Sequence, residues 1–348
     1  MTRRSRNGGW CTSAAEIATR RALSALIASL GVAVAACTGS PAVVLRALGT
    51  VDADRAAPCP SALNAPMGAT CRRVTVHCDG IEDLGATIAI TEPASPASHT
   101  VVMHNWWGGT DFFDSGFVTA LGSRAFRVVQ VAWDAPGWPI ANAHSARVAA
   151  CRPASLFRWI YDTVHQGGDA NGYCLLGMGG GSSAVAYSFG HYGLSSIVDY
   201  AALVSGPPYA RIDYGCAPAT YTGPDIALCP GTTPRHDYSA EQAAFFNQIE
   251  GTTTCGPDAG TPSEADLHHW QEDSVVSPGA SYDYGTAHLG FWFCGPGGTG
   301  ASGLGSFFLR HVSNPRLHCI SDMCSGELPW PGGFQAMVDE FATECVPH

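Results

Sequence analysis

The stretch "LLGMGGGSSAVAYSFG", residues 175 to 190, has the pattern of a turn in which a strand runs into a helix. An apolar "YCLL" leads in, small residues crowd the bend, and "SAVAYSF" continues as a helical segment. A turn of this kind can carry a nucleophilic serine, its hydroxyl beside the N–H groups at the start of the helix. In the register that fits the strand best, the tip is Gly179, which has no side chain. Ser182 and Ser183 then fall in the first helical turn, where serine commonly caps backbone N–H groups. A second register, Gly180-Gly181-Ser182-Ser183-Ala184, makes Ser182 the tip and the nucleophile. It requires the strand to continue through Met178 and Gly179, although glycines weaken a strand.

The elements that position this turn are legible as a series. Strands are expected at 73–78, 86–91, 100–105, 127–133, 173–178, 200–206, 288–294 and 316–321, eight in all. Helical patterns lie at 114–124, 153–166, 181–193 and 332–345. In the last of these, Phe334, Met337, Val338 and Phe341 share one face. Strand–helix alternation with short connections predicts an α/β domain over 59–348, mostly parallel, with helices on both faces. Residues 207–285 interrupt the rhythm with a Pro/Gly/Thr-rich run and a helix-like 239–251, and read as a lid insertion over the carboxyl edge of the sheet.

The element order, the turn "YCLLGMGGGSSAVAYSFGHYG" and the loop "HNWWGG" after an earlier strand resemble the α/β-hydrolase fold family of esterases and lipases. The resemblance spans roughly residues 70–345 and implies a Ser-His-acid triad, the serine in a G-x-S-x-G turn. On that pattern Gly179 stands where the serine belongs, and Gly298, in "GPGG", where the acid belongs. The loop that should bring the histidine, "SDMCSGELPWPGG", contains none. Three vacant positions in one alignment predict a degraded triad. Ser182 with His318 as base and Asp322 or Glu327 as acid is the arrangement that could replace it. The resemblance also places His104, Trp106, Trp107, Gly108, Gly109, Met178 and Gly180 along the cleft, with Trp133 and Trp138 as a candidate aromatic wall. Large aromatics there suit a small apolar or glycan-like ligand.

Composition limits the function classes. The 348 residues carry a formal charge of −11 and no lysine, which gives no electrostatic basis for nucleic-acid binding. Arginines 3, 4, 6, 20 and 21 precede the apolar "ALSALIASLGVAVAAC", a signal-peptide pattern over 1–36 ending in a lipobox-like Val34-Ala35-Ala36-Cys37. A lipid on Cys37 would anchor the protein to a membrane without spanning it, with 37–58 as a linker; ordinary secretion is the alternative. Twelve further cysteines in an exported chain suit up to six disulfides. The short-range pairs expected are Cys59–Cys71, Cys216–Cys229 and Cys319–Cys324, with Cys174 as a buried thiol. His318, Cys319 and Cys324 lack the paired spacing of a zinc site, so no metal and no cofactor are expected. Three readings stay open: a non-catalytic pseudoenzyme of the cell envelope, a Ser182 hydrolase, and a disulfide-stapled structural module.

Overall fold

The structure is a computed structural model that describes residues 43–113, 115–140, 142–165, 168–223, 229–230, 236–257, 259–294, 300–320 and 332–347. They belong to one compact unit, Pro41–His348. The leader, Cys37, Gly298, Asp322, Cys324 and Glu327 lie outside the described residues.

In chain order the strands are β1 (Thr50–Ala53), β2 (Ala57–Pro58), β3 (Thr70–His77), β4 (Leu84–Thr91), β5 (His99–His104), β6 (Phe126–Trp133), β7 (Gly172–Met178), β8 (Tyr200–Val204), β9 (His288–Cys294) and β10 (Arg316–Ile320). The α-helices are α1 (Ser115–Ser123), α2 (Ala146–Ala149), α3 (Cys151–Thr163), α4 (Gly180–Gly190), α5 (Ile212–Cys216), α6 (Ala240–Glu250), α7 (Glu264–Asp273), α8 (Gly300–Leu309) and α9 (Gly332–Glu344). The sheet runs β1-β3-β4-β6-β5-β7-β8-β9-β10, with β2 also on β3. Pairings from β6 through β10 are parallel and those among β1, β3, β4 and β6 antiparallel.

Two layers of side chains explain why the central strands are apolar throughout. Every residue of β7 is buried. Tyr173 and Leu175 point to the face covered by α3 and α4, with Phe157, Ile160 and Tyr187. Cys174, Leu176 and Met178 point to the other face, under Phe117 and Leu121 of α1 and Met337 and Phe341 of α9. Alternation along a strand requires this split.

Several sequence expectations are corrected. The stretch read as a linker supplies β1 and β2, so the sheet has ten strands among the described residues rather than eight. Cys174 is not a free thiol: it bridges Cys345 and ties the central strand to the end of α9. A bridge closing 171 residues removes about 5 kcal/mol of unfolded-state entropy by loop-closure arithmetic. Cys216 pairs with Cys255 and Cys229 with Cys319, in place of Cys216–Cys229 and Cys319–Cys324. Cys59–Cys71 forms as expected, and Cys78 joins Cys151.

A glycine turn sealed by a tryptophan loop

β7 ends at Met178 and α4 begins at Gly180, which leaves Gly179 alone at the turn, with φ 53° and ψ −117°. That backbone region costs a side-chain-bearing residue about 1–3 kcal/mol. The Gly179 N–H donates to Val204 O (2.9 Å), and its carbonyl accepts from Ser182 N (3.0 Å) and Ser183 N (3.3 Å). The space a side chain would take is filled. A Cβ on Gly179 would press into the Trp106 indole, and one on Gly180 into the backbone of Trp107. One on Gly181 would meet the carbonyls of His104 and Asn105. The glycine run therefore lets the loop after β5 lie directly across the turn.

Both serines of the first helical turn are buried in hydrogen bonds to backbone. Ser182 is fully buried and its Oγ donates to Gly179 O at 2.5 Å. Ser183 Oγ is buried too and accepts from Tyr209 N (3.1 Å). Among the described residues no histidine hydrogen-bonds to either hydroxyl. His318 stands on β10, three strands from β7, about 14 Å across a sheet. Its ring stacks on Trp292, with centroids 4.0 Å apart, and its Nε2 faces Glu340 of α9 at 2.9 Å.

The tryptophan loop is held from within. His104 is fully buried, and its Nε2 accepts from Trp133 Nε1 at 2.8 Å. Its proton therefore sits on Nδ1, 3.2 Å from Asn105 O. Burial pushes the ring's pKa down to about 4, so it is neutral near pH 7, and its basic nitrogen is already taken. Asn105 Oδ1 accepts from Trp106 N (2.9 Å), while its Nδ2 donates to Phe112 O (3.2 Å). Gly109 N donates to Trp106 O, so these loop amides point inward and not at a ligand. Gly108 accepts from Trp138 N and packs against the Pro136–Gly137 backbone.

Of the residues expected along a cleft, the structure gathers His104, Trp106, Trp107, Gly108, Gly109 and Gly180 at this turn. Only Trp106 and Trp107 keep part of their surface in solvent; Gly108, Gly109 and Gly180 are buried. Met178 is buried in the core instead of lining a cleft. Trp133 and Trp138 are likewise core residues and form no wall: Trp133 binds His104, and Trp138 packs on Tyr187 and Tyr209. From the insertion, Phe245 on α6 meets the Trp107 ring edge-on at 5.1 Å. Sequence reasoning did not find this contact. The aromatic "AAFFNQIE" on a short helix was the available signal.

No protein-family model matches the chain, and no curated protein matches it in sequence. Solved structures do match in fold. Brefeldin A esterase, a bacterial homologue of human hormone-sensitive lipase, shares 14% identity over 84% of this chain and 80% of its own, at a TM-score of 0.50. A hyperthermophilic esterase from the archaeon Pyrobaculum calidifontis shares 13% identity over 82% of this chain and 87% of its own, TM-score 0.49. A thermostable carboxylesterase cloned from a metagenomic library shares 14% identity over 82% and 90%, TM-score 0.48. The fold is α/β-hydrolase-like, with a mixed sheet and helices on both faces.

Proposed function

We propose that this chain is an exported α/β-hydrolase-like pseudoenzyme, anchored in the cell envelope through lipid on Cys37, that binds a small apolar or glycan-like ligand or a protein partner. The observation that carries the reading is the turn itself. Gly179 stands alone at the tip of the strand–helix turn, and a side chain there would press into the Trp106 indole, which supports reading it as the vacant nucleophile position. Supporting it, Ser182 is buried in a backbone hydrogen bond, and His318, on the distant strand β10, is paired with Glu340 of α9. The partly exposed Trp106 and Trp107 are the surfaces on which a ring or apolar chain could stack. The Trp107–Phe245 contact favours the structural-module reading, since it engages one of these rings with the insertion's own side chain.

Purified, disulfide-intact protein is expected to cleave p-nitrophenyl acetate no faster than buffer. Turnover that Ser182→Ala abolishes would mean the serine hydrolase reading is the correct one. Export and anchoring have a separate test. A globomycin-treated bacterial host should accumulate the unprocessed chain, and unchanged processing would remove Cys37 as the lipid site.

A further inference from the structure

The insertion contains a polar cluster that the glycine turn does not use. Glu250 is the last residue of α6, and His269 and Asp273 stand at i and i+4 on one face of α7. Their ligand-type atoms all lie within 4.8 Å of one another. The two carboxylates are 1% and 3% exposed and the imidazole 42%, so the cluster is closed toward the core and open on the histidine side.

The hydrogen bonds leave this site incomplete. Glu250 Oε1 accepts from Ala146 N (3.3 Å), and Asp273 Oδ1 from Ser145 Oγ (2.6 Å). His269 Nε2 lies 2.9 Å from Glu250 Oε2. Asp273 Oδ2, buried, has no hydrogen-bond partner. Arg147 Nε stays 3.8 Å from Asp273 Oδ1, also unpaired, and offsets one negative charge of the two. A buried, unpartnered carboxylate oxygen is costly unless something fills the position in front of it.

We propose that Glu250, His269 and Asp273 bind one divalent transition-metal ion of the zinc class, with a fourth position open to water on the His269 side. Imidazole nitrogen and carboxylate oxygen are each zinc ligands, whereas calcium and magnesium favour oxygen ligands alone. A tetrahedral ion with bonds of about 2.0–2.2 Å holds its donor atoms about 3.4 Å apart, so the His269–Glu250 pair at 2.9 Å would open and the wider pairs, within 4.8 Å, would close around it. The ion would clip α6 to α7 and hold both against the Ser145–Arg147 segment. The inference does not depend on whether the glycine turn is catalytic.

The test uses the full mature chain, stripped with a chelator and titrated with Zn²⁺. One equivalent should bind and raise the melting temperature by about 5 °C, with Mg²⁺ giving no such shift. Glu250→Gln and His269→Ala should each lose the shift while His268→Ala, on the exposed neighbouring residue, keeps it. Glu250→Gln mimics the protonated acid and His269 is partly exposed, so the metal-free melts of these variants report whether the fold is intact. A wild-type melt insensitive to Zn²⁺, or a shift retained in both variants, overturns the site.

Discussion

A Gly179→Ser variant is expected to remain inert toward esters and to lose roughly 2–4 kcal/mol of stability. Two costs add. The turn's φ of 53° strains any residue with a Cβ, and the new side chain must displace the Trp106 indole. Among the described residues the hydroxyl gains no base in return. His104 Nε2 is occupied by Trp133, and His318 is held by Glu340 on the far side of β8 and β9. Urea unfolding of wild type, Gly179→Ala and Gly179→Ser would read the cost, with alanine isolating the backbone and Cβ part. Ester turnover in the serine variant would show that the chain still carries a working base and that only one residue separates it from an enzyme.

The second large effect is an acid sensitivity centred on two buried histidines. His104 and His191 are both held near a pKa of 4, mainly by burial. His104 faces Trp133, Asn105 O, Trp138 and Phe157. His191 faces Val275 O, Ser277, Arg147 and Arg46. In the unfolded chain each ring takes a proton below about pH 6.5. The folded state therefore has its full advantage above that pH and loses it as pH falls toward 4. Linkage sets the loss at about 3 kcal/mol per ring, against a total stability of about 5–15 kcal/mol. Glu250, whose pKa is raised, pulls the other way over the same range, so the quantity to read is a difference between variants. In His104→Gln and His191→Gln the stability gap between pH 7 and pH 4.5 should each time change by about 2.4 kcal/mol relative to wild type, the remainder of the loss falling below pH 4.5. An unchanged gap in both would contradict the burial argument.

The parts of the fold that were legible are those whose sequence must satisfy two buried faces. β5 to β9 announce themselves as apolar runs because helices cover both sides, and α9 because its contacts to the sheet recur at helical spacing. β1 and β2 were invisible for the converse reason. "TVDA" and "AP" are largely exposed edge segments held by backbone pairing to β3, which asks little of their side chains. The disulfide partners failed because pairing follows proximity in space. Cys174 and Cys345 are 171 residues apart yet adjacent, because α9 packs beneath β7.

The glycine turn was readable since a strand, a bend and a helix follow without a gap. What fills it was not, because Trp106 reaches Gly179 only through the pairing of β5 with β7. Glu250, His269 and Asp273 lie on two separate helices, and no sequence spacing joins all three. Only the packing of α6 and α7 against the Ser145–Arg147 segment buries the two carboxylates. His269, 42% exposed, thereby faces Glu250 at 2.9 Å.

Fluorophosphonate labelling of the purified mature protein, read by intact mass and peptide mapping, tests the central claim most directly. The reagent marks a serine only where a base and an oxyanion site activate it. The account predicts no adduct on folded, disulfide-intact protein, with Ser182 unmodified. An adduct on Ser182 would contradict it and make the chain a serine hydrolase working from a different register of the turn.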